Sequence, residues 1–181
     1  MDVVALHSTR YLTPQVNDIV IGTVVGRNAD FYTLDINSDS HATLSALEFM
    51  GSTRRDKPNF QEGTLVFCRV IEASSSSRLA RIKLSCISPL CKKAWNSGEA
   101  FFGELQGGLV KEFPVNFCRE LLRDSWVLDR LGEKLQFNIN VGFNGRIWVK
   151  GRMADTIFIM QCLDRAVVAS RDAVDTLINS I

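Results

Sequence analysis

Three groups of side chains in this sequence have types and spacings that could do chemistry. The first is the densest basic cluster, Arg54, Arg55 and Lys57, within Thr53-Arg54-Arg55-Asp56-Lys57-Pro58-Asn59. Cations this close can neutralise successive phosphates of one nucleic-acid strand, in contacts that weaken with salt. A solvated loop is the competing account, because most short charge runs are that. The second is Gly142-Phe143-Asn144-Gly145, whose glycines would let a phosphate backbone approach closely. Asn-Gly between alternating strands is also the strongest short-range signal for a tight turn. A phosphate clamp of that kind lies between two helices, whereas this string joins two strand patterns, so a structural turn is the better account. The third group, Asp30, Asp35 and Asp39, would serve a two-metal nuclease only if the carboxylates converged beside a scissile phosphate. They sit in and around a turn, where Asp is at home, and no His or Glu joins them. His7 and His41 are isolated, and nothing resembles a Ser/His/Asp or Cys/His arrangement. The reading is no catalytic residue, no metal site, no cofactor and no nuclease activity.

Aromatic residues extend the picture. Phe31, with Arg81, is a candidate for the outer face of a barrel, where an exposed ring can stack a base for about 1–3 kcal/mol and a nearby guanidinium adds charge and planar contact. Packing of Phe31 under a neighbouring domain or subunit is the favoured alternative. Trp148 lies on an alternating strand and Trp126 on a short amphipathic helix, which makes both core or interface anchors.

Positioning such groups takes folded domains, and the composition supplies them. The 181 residues are 46% hydrophobic, enough for one large domain or two small ones. A net charge of +1 excludes a protein that coats nucleic acid by charge alone, so any such contact must be local. The five cysteines, Cys68, Cys86, Cys91, Cys118 and Cys162, are odd in number and form no C-x-x-C pair, which reads as reduced core thiols of an intracellular protein. The opening residues carry an acid where a signal peptide wants a base. No stretch approaches the roughly 20 apolar residues of a membrane helix, so a soluble cytosolic or nuclear protein with no membrane partner is expected.

From Val16 to Ser85 the pattern is strands and turns. A β-branched run over 18–26, with a central glycine at a bend, leads through the turn Asn28-Ala29-Asp30 to a strand over 31–36. In that strand Tyr32, Leu34 and Ile36 face one way, and Phe31, Thr33 and Asp35 the other. Short strands over 42–45, 65–71 and 79–85 follow, separated by a polar loop over 49–61 and a serine-rich tip at Ser74 to Ser77. Five strands in this order fit a small OB-type barrel. Residues 88–98 mark a seam. Beyond it, 101–105 and 109–113 read as a hairpin around Gly107-Gly108. Pro114 opens a helix with Val115, Cys118, Leu121 and Leu122 on one face. A second helix over 126–131 ends at Gly132, and an alternating strand over 135–141 connects through Asn144-Gly145 to a strand over 146–150. Two helices finish the chain, the last capped by Ser170 and carrying Val174, Leu177, Ile178 and Ile181 on one stripe. The fold class is therefore an all-β OB-type barrel followed by an α+β domain.

That order, joined to the string Gly142-Phe143-Asn144-Gly145-Arg146-Ile147-Trp148-Val149-Lys150, resembles the cap subunits of the eukaryotic RNA exosome, in particular the family of ribosomal-RNA-processing protein forty. The basic loop from Thr53 to Asn59 and the lead-in Arg10-Tyr11-Leu12-Thr13-Pro14 are similar to that family too. The resemblance implies a residual N-terminal segment over 1–13, an S-one type OB barrel over 14–88 and a KH-like domain over 89–181, with G-x-N-G in place of the usual G-x-x-G. The family carries a further N-terminal β domain, and here only residues 1–13 precede the barrel. Related barrels show two aromatics and a histidine on the ligand face; Phe31 matches one, while Asn28 and Thr43 stand at the other positions.

The resemblance implies a non-catalytic, RNA-binding cap subunit that docks on RNase-PH-like ring subunits beside other cap subunits. It would guide single-stranded RNA toward 3′-to-5′ processing and decay, in the nucleus, nucleolus and cytoplasm. Arg54, Arg55, Lys57, Phe31 and Arg81 are then the RNA-binding candidates, and Gly142, Asn144, Gly145 and Trp148 serve the structural turn and domain packing. The alternative is a scaffold of the same complex that never touches RNA. A fragment of a polynucleotide phosphorylase is disfavoured, because there the KH domain comes before the barrel.

Overall fold

The computed structural model describes residues 13–74 and 81–180. Most of the N-terminal segment and its Arg10-Tyr11-Leu12 lead-in, His7, Ser75 to Ser77, the Leu79 start of the fifth strand and Ile181 lie outside the described residues. Two compact units emerge. One comprises Leu12–Gly107 together with Gly142–Asn144, and the other includes Gly108–Val141 and Gly145–Ile181. Residues 89–107, which the sequence reading assigned to the second module, thus belong to the first unit.

The first unit is a closed barrel. Its strands are β1 (Ile19–Arg27), β2 (Phe31–Asp35), β3 (Ala42–Phe49), β4 (Leu65–Ser74) and β5 (Arg81–Cys86). They follow one another around the wall in the order β1-β2-β3-β5-β4, and β4 pairs back with β1 to close it. All pairings are antiparallel except β3 with β5, which is parallel. Alternation explains the interior: Tyr32 and Leu34 of β2, Ala42, Leu44 and Ala46 of β3, and Ile82 and Leu84 of β5 are buried, and the residues between them face outward. Gly22 lets β1 pack closely on β2, since a Cβ there would lie 2.7 Å from Leu34 Cδ2 and the buried Leu34 side chain would have to shift. The β1–β2 register shifts between Val24 and Gly26, a bulge that bends the wall where a barrel must turn.

Two elements differ from the sequence reading. β3 continues past Ser45 to Phe49, because Ala46 and Phe49 prolong its inward face. The hairpin around Gly107-Gly108 does not form. Instead β6 (Gly103–Glu104) pairs with β4, and β7 (Leu109–Glu112) joins a different sheet. Gly107 and Gly108 do adopt the positive φ of a turn, at 70° and 73°. Packing of Phe102 against Phe67, with ring centroids 5.4 Å apart, accompanies the pairing of β6 with β4 and decides the matter against local turn chemistry.

The second unit is α+β. After β7 come α1 (Val115–Arg123), α2 (Trp126–Gly132), β8 (Phe137–Val141), β9 (Arg146–Gly151), α3 (Met153–Val168) and α4 (Arg171–Ile178). The sheet is antiparallel in the order β7-β9-β8. Cys118, Leu121, Val127, Leu131, Ile147, Val149, Ile159, Leu163, Val174 and Ile178 form its core. Leu122, read as part of the buried face of α1, is 47% exposed; Val115, Cys118 and Leu121 make that face without it. Ser170 stands at the N-cap of α4 with an extended backbone but gives no side-chain cap hydrogen bond. Among the described residues no helix is long and apolar enough to cross a membrane.

Candidate nucleic-acid interface

The basic loop lies between β3 and β4 and is held by its own backbone. The Thr53 N–H donates to the Asp56 carbonyl at 2.8 Å, and the Asp56 N–H to Thr53 Oγ1 at 3.0 Å. This closed turn displays Arg54 and Arg55 to solvent, and neither makes an ion pair among the described residues. Lys57 is placed differently. Its Nζ reaches back to the β1–β2 turn, donating to the Ala29 carbonyl at 2.5 Å and standing 3.5 Å from Asp30 Oδ1.

Phe31 opens β2 on the outer face of the barrel, 45% exposed, with its N–H donating to Asn28 Oδ1 at 2.8 Å. Arg81 opens β5 and is also exposed. Register keeps these two apart. Thr33, Thr43 and Lys83 form one rung across β2, β3 and β5. Phe31 is two residues from that rung in one direction, and Arg81 two residues in the other. With roughly 3.3 Å per residue along a strand and roughly 4.8 Å between strands, the two side chains occupy opposite corners of the face. Lys83, nearer the centre, is engaged by Glu72 at 2.6 Å.

A hollow of about 380 Å³ opens between the β1–β2 turn and the basic loop, lined by Arg27, Asn28, Lys57, Pro58 and Asn59. Arg27 Nη1 donates to Asn59 Oδ1 at 2.6 Å and to the Phe60 carbonyl at 3.1 Å. The floor is rigid. Tyr32 is 4% exposed, its hydroxyl donates to the Pro58 carbonyl and accepts from the Phe60 N–H, and its ring lies 5.2 Å from that of Phe60. Of these residues only Lys57 stood in the sequence-derived site. The one local signal for the rest was the Asn28-Ala29-Asp30 turn, since Arg27 and Asn59 are 32 positions apart.

The segment from Gly142 to Gly145 is buried apart from Phe143, which is partly exposed. It joins β8 to β9, two strands, and no loop protrudes. Asn144 is 0% exposed; its Nδ2 donates to the carbonyls of Ile21 at 2.8 Å and Ile36 at 3.0 Å, and its Oδ1 accepts from the Ile21 N–H at 3.2 Å. Asn37 Nδ2 and the Phe143 N–H add bonds to the Asn144 and Ile19 carbonyls. Gly145 has φ +82°, and a Cβ there would lie 2.5 Å from the Phe113 carbonyl oxygen, so the turn has no room for a nucleotide backbone at that glycine. Trp148 is 5% exposed on β9, opposite Val110 and Asn140. Trp126 is half-buried under the Arg171 guanidinium, 5.2 Å from its ring centroid.

The carboxylates do not converge. Asp30 stands by Lys57, Asp35 accepts from the Asn37 N–H at 3.0 Å, and among the described residues no three His, Cys, Asp or Glu side chains group as metal ligands.

Comparison with known proteins assigns these units. Residues 12–98 match the model of the S1 domain of exosome complex component RRP40, and residues 108–155 a KH domain model. Curated relatives include the rrp40 exosome component of Dictyostelium discoideum, 33% identical over 171 residues, covering 93% of this chain and 68% of the relative. The rrp40 of Schizosaccharomyces pombe is 36% identical over 85% of this chain and 61% of its own length, and human RRP40 is 32% identical over 83% and 52%. The chain thus spans from about half to about two thirds of the length of these relatives. A crystal structure described as that of an exosome complex RNA-binding protein superposes with a TM-score of 0.73 over 94% of this chain and 96% of its own, at 19% identity, which bears on the fold. With an S1 barrel, a KH-type unit and relatives of this similarity over most of its length, the chain belongs to the Rrp40 family of exosome complex components.

Proposed function

We propose that this protein is a non-catalytic, RNA-binding cap subunit of the RNA exosome. It docks on RNase-PH-like ring subunits beside other cap subunits and helps guide single-stranded RNA toward 3′-to-5′ processing and decay by other polypeptides. The observation that carries the reading is the closed Thr53–Asp56 turn, which holds Arg54 and Arg55 in solvent on the wall of an S1-type barrel. Two guanidinium groups that make no ion pair among the described residues, on a short, hydrogen-bonded loop, offer sequence-tolerant phosphate contacts, and the near-neutral charge of the whole chain fits a subunit whose affinity is summed with that of its neighbours. The non-catalytic part of the proposal is supported by the dispersed carboxylates and by the family. Nucleus, nucleolus and cytoplasm are the proposed locations.

A second reading, a scaffold without RNA contact, is favoured by one feature: Lys57 is spent on the β1–β2 turn, and Phe31 and Arg81 stand at opposite corners of their face. Replacing Arg54, Arg55 and Lys57 by Glu and measuring RNA crosslinking in the assembled complex separates the two. Loss of crosslinking to this subunit supports the RNA-binding subunit, and unchanged crosslinking the scaffold.

A further inference from the structure

The hollow beside the basic loop is lined by hydrogen-bond donors with unused capacity. Arg27 spends Nη1 on Asn59 and Phe60, which leaves Nε and Nη2 without an acceptor among the described residues. Asn28 spends its Oδ1 twice, on the N–H groups of Asp30 at 3.0 Å and Phe31 at 2.8 Å, so its orientation is fixed and its NH₂ group is left over. Asn59 spends its Oδ1 on Arg27 and likewise keeps its NH₂ group. Lys57 adds a charge already anchored to the Ala29 carbonyl. Among the described residues no carboxylate lines the hollow, and Asp30, 74% exposed, stands 3.5 Å from the Lys57 Nζ. Two cations and two amide NH₂ groups around one concavity, on a floor fixed by Tyr32, suit an oxyanion with several acceptor oxygens and offer little to an apolar or cationic group.

We propose that this hollow is a phosphate subsite, in which Arg27, Asn28, Lys57 and Asn59 hold one phosphodiester of the RNA strand that Arg54 and Arg55 attract. The proposal rests on the RNA-binding reading above and adds to it a fixed point on the strand. The contact is to the backbone and carries no base preference, because the described lining residues include no exposed aromatic ring.

The test uses the full chain, a fluorescent 12-nucleotide oligouridylate, and a 12-unit abasic ribose-phosphate strand, in anisotropy titrations from low to moderate salt. The informative variant is Asn28→Asp with Asn59→Asp. Each change keeps the Oδ1 that closes the turn or holds Arg27, and replaces the donor NH₂ group by an anionic oxygen. The expected result is at least about a tenfold loss of affinity for both strands at low salt, with an unchanged melting temperature. Arg27→Gln serves as the second variant and lowers both affinities in parallel. Unchanged affinity in the Asp variant, with loss on Arg54→Glu and Arg55→Glu, overturns the subsite and leaves the RNA-binding reading standing. Loss for oligouridylate only, with the abasic strand unaffected, overturns the assignment to phosphate. No binding by the unaltered chain to either strand overturns both.

Discussion

The side chain of Asn144 completes the hydrogen bonding of Ile21 across 123 positions of sequence, taking its N–H at 3.2 Å and giving to its carbonyl at 2.8 Å. The β1–β2 pairing runs from Thr23 to Arg27, so Ile21 lies just beyond it, where the two strands splay. There the carboxamide does what one residue of a strand would do, and its second N–H serves the Ile36 carbonyl. Asn is suited to this because it carries a donor pair and an acceptor on one short, stiff group. Asn144→Ala removes all three bonds in a fully buried place, and a loss of about 3 kcal/mol or more is expected from urea unfolding. Asn144→Asp is expected to cost at least as much, because a buried carboxylate then faces two carbonyl oxygens.

Glycine substitutions separate backbone strain from collision. Gly63, at φ +88°, has nothing within 4 Å of a built Cβ, whereas Gly145, at φ +82°, meets the Phe113 carbonyl at 2.5 Å. Gly63→Ala is expected to cost about 1–2 kcal/mol, the left-handed penalty alone. Gly145→Ala should cost clearly more, and thermal melting of the two variants side by side measures the difference.

Burial pushes the Cys68 and Cys86 thiols up, more weakly aided at Cys86 by the charges of Cys68 and Glu48, and takes Cys118 from its ordinary 9.0 to about 12 and Cys162 to about 11. Unfolded thiols ionise near pH 9 while these keep their protons. Stability is therefore full below pH 9 and falls as pH rises from there through the raised values. Urea midpoints at pH 8 and pH 10.5 should differ in that direction. Iodoacetamide at pH 8 should label the partly exposed Cys91 first, and mass spectrometry identifies the site.

For RNA binding, the slope of log affinity against log salt reports phosphate contacts, at about 0.7 per phosphate for a single strand. Arg54→Gln with Arg55→Gln should flatten that slope by about 1.4 without changing the fold. An unchanged slope would count against both arginines.

Much of the barrel was legible because Tyr32, Leu34 and Ile36 alternate cleanly with Phe31, Thr33 and Asp35, and alternation is a local property of the chain. The Gly107-Gly108 pair misled for the same reason. Its backbone has the positive φ expected, yet the pairing of the flanking segments is settled by Phe67 and by β9, both distant in sequence. Leu122 follows Leu121 and passes for its neighbour in the core, but one residue of helix turns it about 100° away. At the candidate interface, Arg54 and Arg55 announce themselves as adjacent charges, while the hollow needs Arg27 and Asn59 to meet from two loops. Nothing in either loop alone encodes that meeting.

A chain whose barrel borrows a carboxamide from residue 144 cannot finish that barrel as soon as its fifth strand leaves the ribosome. At roughly 5–20 residues per second, the roughly 58 positions between Cys86, where β5 ends, and Asn144 represent about 3–12 s of translation. Through that interval the amino-terminal cylinder waits with the Ile21 and Ile36 backbone groups not yet met by their amide partner, and it acquires its last fastening only when the β8–β9 turn has been made.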